Sequence, residues 1–107
     1  MQVKEVTVQE LKSMMDGNED FQLVDVREPH EIEICNIGGD SIPLNTVMHN
    51  SDKFAADKKV VIHCRSGARS ANAVMLLQAQ NGMENLYNLK GGILAWADEI
   101  DNSLTKY

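Results

Sequence analysis

Residues 60–70 read Val60-Val61-Ile62-His63-Cys64-Arg65-Ser66-Gly67-Ala68-Arg69-Ser70. The apolar run Val60-Val61-Ile62 predicts a buried strand, bounded at Cys64 by a glycine-bearing loop. A helix is expected to begin near Arg69-Ser70. The first N–H groups of a helix have no partner within it and point back toward the loop that precedes it. The aligned peptide dipoles add partial positive charge at that end, and successive loop N–H groups can form an anion-binding nest. Arg65 and Arg69 add full charges, and the loop holds no acid. All of these favour a thiolate over a thiol, so Cys64 reads as an activated nucleophile. From Lys58 to Met83 there are four bases and no acids, in a chain of net charge −6. The positive field is thus concentrated around this loop.

Outward from that stretch, predicted strands and helices alternate, which indicates α/β architecture. Strands are expected at Val3–Val6, Gln22–Val26, Ser41–Pro43, Lys59–His63 and Leu86–Leu89. Thr7 and Glu10 form a capping box that opens a helix to about Met15, and Asp16-Gly17-Asn18 stops it. Pro29 suits the first turn of a helix reaching about Ile34. A weak helix is expected over Thr46–Phe54. Arg69–Gln80 is the clearest helix. Its apolar residues cover most of its surface, which predicts deep burial, and Asn81-Gly82 ends it. Gly91-Gly92 leads into a last helix.

Strands separated by helices imply a mostly parallel sheet of about five strands, with right-handed crossovers and helices on both faces. Ligands of such sheets bind outside the carboxyl ends of the strands. Cys64 follows its strand at that edge. Asp25-Val26-Arg27 and Lys90-Gly91-Gly92 end their strands there too, so three separated motifs converge on one rim.

The Cys64 loop resembles the active-site loop of the rhodanese family, the single-domain sulfurtransferases. Leu23-Val24-Asp25-Val26-Arg27-Glu28 resembles the family's first core strand and its charged end. Glu31 through Pro43 is similar to the helix and strand that follow. Gly91-Gly92-Ile93-Leu94-Ala95-Trp96 resembles its final glycine pair, helix and Trp. The likeness runs from about Val3 to Ala97. Many family members carry Gly-His-Ile-Pro-Gly where this chain has Cys35-Asn36-Ile37-Gly38-Gly39. The tail from Trp96 to Tyr107 is similar to the end of rhodanese modules fused to enzymes that adenylate ubiquitin-like sulfur carriers. The resemblance implies a three-layer rhodanese-like fold and sulfur transfer through a Cys64 persulfide, with no cofactor. It also implies a small anionic donor such as thiosulfate, and a cysteine desulfurase, thioredoxin or sulfur-carrier protein as partner. Arg65, Ser66, Gly67, Ala68, Arg69 and Ser70 would bind substrate, and Asp25, Arg27, Gly91 and Gly92 would support the site.

Length and composition agree with this reading. At 107 residues, 43% of them hydrophobic, a single domain spanning 1–107 is expected, large enough to bury a core without metals or disulfides. No apolar run approaches a membrane span. The first ten residues lack a secretion pattern, and two cysteines make no disulfide framework, so a cytoplasmic setting is expected. The acidic balance disfavours nucleic acid. His63 precedes Cys64 on the strand and points to the opposite face, so it reads as a structural residue and not as the base. Asp25 reads as a brace at the sheet edge. Arg27 and Glu28 read as structural or solvated charges, and Ser66 and Ser70 as loop hydrogen-bond donors. His30 and His49 lack metal-ligand spacing. Trp96 reads as core or pocket wall, and Cys35 as an inert thiol.

Two other functions use the same residues. Cys-dependent phosphatases and arsenate reductases also surround an anion with a thiolate and an Arg. Their pattern places five residues between Cys and Arg, whereas Cys64 and Arg69 enclose four. The resemblance implies that the shorter loop fits a sulfur atom. A relay module, taking sulfur from a desulfurase and passing it to one dedicated carrier, would keep the Cys64 chemistry but use free thiosulfate poorly.

Overall fold

A computed structural model describes residues 2–107. The run Lys59–His63 forms β4, in which every residue after Lys59 is buried. Such a strand needs neighbours on both edges and cover on both faces. The neighbours are β2 (Phe21–Asp25) and β5 (Leu86–Leu89). Leu23 lies opposite Val61 and Asp25 opposite His63, and Val60 lies opposite Leu86. β1 (Glu5–Val6) adds to β5 and β3 (Asp40–Ser41) to β2, giving the order β1-β5-β4-β2-β3 with every pair parallel.

Alternation along the strands divides the core into two layers. Val60, Ile62 and Cys64 join Val24, Val26, Val47, Phe54, Ala73, Val74 and Leu77 in one. Val61 and Leu89 join Val6, Val8, Leu11, Met14 and Trp96 in the other. The first layer lies under α3 (Ala68–Asn81), and the second under α1 (Val8–Asp16) and α4 (Gly92–Glu99). The molecule is therefore the expected three-layer α/β arrangement, with a mostly parallel five-stranded sheet and helices on both faces. Trp96 belongs to the core. No helix among the described residues is long and apolar enough to cross a membrane.

Local differences from expectation have local causes. β1 and β3 are two residues each. Past β3, Pro43 has no N–H to extend the ladder, although Ile42 and Leu44 still donate to the carbonyls of Asp25 and Val26 (both 3.0 Å). The segment expected as a weak helix is a 3-10 stretch, Leu44–Lys53, broken at Asn50. There the Thr46 hydroxyl donates to the Pro43 carbonyl and the Asn50 amide to the Thr46 carbonyl, the competition that keeps such residues out of α-helices. The Thr7–Glu10 capping box is formed as predicted. α3 is not buried all round. Ser70, Ala73, Val74 and Leu77 face the core, while Met75 is 43% exposed. Its small alanines count as apolar in the sequence but need no cover.

Candidate active site

At the carboxyl edge of β4 the chain leaves the sheet at Cys64, and Gly67 turns it into α3. Gly67 adopts φ +109°, a left-handed conformation open to glycine without strain. The turn aims the Gly67 N–H at the Cys64 sulfur, 3.1 Å away. One turn into α3, the Ser70 hydroxyl lies 3.4 Å from the same atom. Cys64 is 1% exposed, and burial alone pushes a thiol up. The Ser70 hydroxyl and N–H, with the N–H groups of Gly67 and Ser66, outweigh burial and hold Cys64 below the ordinary thiol value. The cradle around the Cys64 sulfur is thus made chiefly by donors of Ser66, Gly67 and Ser70.

Two supports fix the cradle from behind. Ser70 also hydrogen-bonds the side chain of Asn88 and the Gly67 carbonyl, and the Asn88 amide donates to the Gly67 carbonyl (3.2 Å) and to Glu5 (3.3 Å). Gly92, with φ +61°, lies flat against the loop backbone. A Cβ there would stand 2.4 Å from the Arg65 carbonyl oxygen and 2.8 Å from that of Cys64. The close approach lets Ile93 N–H donate to the Cys64 carbonyl (3.0 Å) and Leu94 N–H to the Arg65 carbonyl (3.1 Å). The second glycine of the pair is therefore the one pressed on the Cys64 loop, while Gly91 caps α4.

The arginines have different surroundings. Arg65 is exposed, and its guanidinium lies 4.9 Å from the centre of the Tyr107 ring. Ala68 is exposed at the start of α3. Arg69 is clamped by Glu31 of α2 (Pro29–Ile34), Nη1 to Oε1 at 2.7 Å and Nη2 to Oε2 at 2.8 Å. The Tyr107 hydroxyl donates to Glu31 Oε2 at 2.8 Å. The Arg69 hydrogen bond, above all, holds the Glu31 carboxyl well below the usual range despite burial. The loop contains no acid, but the fold supplies one.

Asp25 and Arg27 stand behind this layer. Arg27 is fully buried and grips Asp25 through Nε (3.0 Å) and Nη2 (2.8 Å). Its other donors reach the carbonyls of Glu31 (3.3 Å) and Cys35 (2.7 Å) and the Tyr107 hydroxyl (2.9 Å). Burial works against the charge, and the bonds to Asp25 and Tyr107 overcome it. The guanidinium ties the end of β2 to α2 and its C-cap, adding to the Cys35 N–H bond on the Glu31 carbonyl and supplying a donor to the Cys35 carbonyl. His63 is buried too. Its Nδ1 faces the Cys64 carbonyl (3.4 Å) and its Nε2 faces Asp25 (3.6 Å), away from the sulfur. Burial favours its neutral form. Cys35 is a free, half-buried thiol at the end of α2.

Glu31, Asn88 and Tyr107 do not stand out in the sequence reading. Two carry a signal in retrospect. Asn88 is a polar residue inside the apolar strand Leu86–Leu89, and a buried amide requires partners. Glu31 lies in the first turn of a helix that starts just past the rim end of β2. Tyr107 carries none, because its partners are up to 80 residues away. A cleft lined by Phe21, Gln22, Asp40, Lys53 and Lys58 lies at the opposite, amino-end edge of the sheet and is lined by no Cys, Ser or Thr. Among the described residues no group of three His, Cys, Asp or Glu is placed to hold a metal ion.

Comparison with known proteins gives a consistent family. The family model described as rhodanese-like domain matches residues 7–99. A sulfurtransferase of Allochromatium vinosum is 38% identical over 96 residues, covering 89% of this chain and 89% of that protein. The probable adenylyltransferase/sulfurtransferase MoeZ of Mycobacterium tuberculosis is 30% identical over 105 residues, which cover 95% of this chain and 26% of MoeZ. Among solved structures, a rhodanese-like domain protein from Staphylococcus aureus superposes with a TM-score of 0.82 at 35% identity, covering 92% of this chain and 95% of that one.

Proposed function

The chain belongs to the rhodanese-like domain family, and on that premise we propose that it moves sulfane sulfur through a persulfide on Cys64. The observation that carries this reading is the collar around the Cys64 sulfur, with the Gly67 N–H at 3.1 Å and the Ser70 hydroxyl at 3.4 Å. The thiolate attacks the outer sulfur of a donor, thiosulfate or a persulfide. The bond from that sulfur to the donor breaks, and its electron pair leaves with sulfite or a thiolate. Cys64 then carries a persulfide, whose terminal sulfur passes to a nucleophilic acceptor. Two displacements on one nucleophile predict ping-pong kinetics. The loop N–H groups hold the charge that moves outward by one sulfur atom, and Arg65 and Arg69 supply positive field at the rim.

The geometry supports sulfur over phosphoryl transfer. The loop encloses four residues between Cys64 and Arg69, one fewer than the phosphatase pattern, and Arg69 is turned toward Glu31 with one N–H of each terminal nitrogen on that carboxylate. Cysteine desulfurases, thioredoxin or sulfur-carrier proteins fit as protein donors and acceptors. The similarity to MoeZ favours a sulfur-carrier route, in which this chain would serve as the sulfur-relay module. The test is intact mass after incubation with a sulfane donor, on the wild type and on Cys64→Ser. A gain of about 32 Da, one sulfur atom, confined to the wild type is expected of a thiolate nucleophile. An equal gain in Cys64→Ser, or turnover of an aryl phosphate that depends on Cys64, would overturn the assignment.

A further inference from the structure

Charge at the rim bears on which donor the site takes. Two arginines flank the Cys64 collar, but they are not equivalent. Arg69 lies in a bidentate pair with Glu31, and the second Glu31 oxygen is also held by the Tyr107 hydroxyl. Glu31 itself is buried, so its negative charge is poorly screened by water. On the far side of the collar the Asn88 amide reaches toward the Glu5 carboxylate. Behind it, Arg27 and Asp25 cancel one another. Of the two arginines, Arg65, exposed over the Tyr107 ring, is the one without a carboxylate partner. Backbone N–H groups can hold one negative charge on sulfur, but a dianion entering beside a thiolate needs more compensation.

Resting on the sulfur-transfer reading, we propose that Glu31 determines donor specificity, directing the Cys64 site toward sulfane donors with at most one negative charge and against dianionic thiosulfate. The favoured class is the organic persulfide, free or on a protein: the Cys64 thiolate takes the outer sulfur, and the donor's thiolate leaves. The atoms and charges balance in both cases. Thiosulfate and the thiolate give a Cys64 persulfide anion and sulfite dianion. A persulfide and the thiolate give a Cys64 persulfide and a new thiolate.

The test uses two small donors with the same reacting sulfur and different charge, thiosulfate (−2) and methanethiosulfonate (−1). Their rates of Cys64 persulfide formation are compared by mass at constant ionic strength. Glu31→Gln keeps the shape and the contact to the Glu28 N–H while removing the charge, and Glu31→Asp keeps the charge while shortening the arm. The thiosulfate-to-methanethiosulfonate rate ratio should rise roughly fivefold or more in Glu31→Gln and stay near the wild-type value in Glu31→Asp. An unchanged ratio in Glu31→Gln, or equal shifts in both variants, overturns the role of Glu31. A wild-type measurement stands beside it should either variant not fold. Sulfate should protect Cys64 from alkylation no better than methanesulfonate, and protection about tenfold better would overturn the charge argument. Failure of both donors, and of an organic persulfide such as cysteine persulfide, to load Cys64 would instead sink the sulfur-transfer reading.

Discussion

Replacing Gly92 with alanine tests how the Cys64 loop is held. Two costs follow from the geometry. At φ +61° an alanine pays roughly 1–2 kcal/mol for the left-handed backbone. Its Cβ would also stand 2.4 Å from the Arg65 carbonyl oxygen, a contact that backbone must yield to. Moving the loop strains well-packed surroundings by about 1–3 kcal/mol and loosens the bonds from Ile93 and Leu94 to the Cys64 and Arg65 carbonyls, each worth about 1 kcal/mol. These terms overlap, and we expect a total near ~3–5 kcal/mol. Gly82→Ala is the control, because Gly82 has φ +64° but nothing within 4 Å of its would-be Cβ. It should cost only the backbone part, about 1–2 kcal/mol. Urea unfolding followed by circular dichroism should therefore place the Gly92→Ala midpoint roughly 1 M below that of Gly82→Ala. The folded Gly92→Ala protein should also be alkylated at Cys64 more slowly, because its cradle has moved. Midpoints agreeing within about 0.3 M would refute the close-approach reasoning.

Ser70→Ala removes one of the donors that hold the Cys64 thiol low; alkylation near pH 7 should slow roughly fivefold, and an unchanged pH–rate profile would show that the hydroxyl does not reach the thiolate. Arg27→Met strands the buried Asp25 carboxylate, and a loss of about 3–5 kcal/mol in denaturant unfolding is expected; a loss under ~1 kcal/mol would mean that the pair is dispensable. His63 is held below its ordinary value by burial, so the unfolded chain takes up a proton at a pH where the folded chain does not. Its contribution to stability is therefore present above about pH 6.5 and lost progressively as pH falls from there toward the lower folded value. The thermal midpoint should drop between roughly pH 7.5 and pH 5.5, less steeply in His63→Gln, and parallel curves would remove His63 from the account.

The fold was legible where one physical signal dominated. An apolar run with a basic glycine loop after it located β4 and its rim, and a capping box located α1. Alternating elements implied the parallel sheet, and with it the convergence of Asp25, Cys64 and Gly92 at one edge. What remained hidden depends on contacts between distant parts of the chain. The loop itself holds no acid, and Glu31 reaches it from 38 residues away. The apolar residues of Arg69–Gln80 predict deep burial, but a list of apolar residues does not say how many neighbours the fold has to cover them. The weak helix expected over Thr46–Phe54 is a 3-10 stretch because side-chain competition for backbone groups leaves only a weak trace in composition.

The strand order has a bearing on how this protein is made. β1 has one partner in the sheet, β5, with Glu5 opposite Asn88. The residues of β1 thus leave the ribosome more than 80 residues before their mates in β5. At synthesis rates of about 5–20 residues per second, β1 waits roughly 4–17 s for its partner. The central pairs, β2 with β4, can form well before that. Vectorial synthesis therefore favours an assembly that grows from the middle of the sheet, with the N-terminal strand added late as a closing edge.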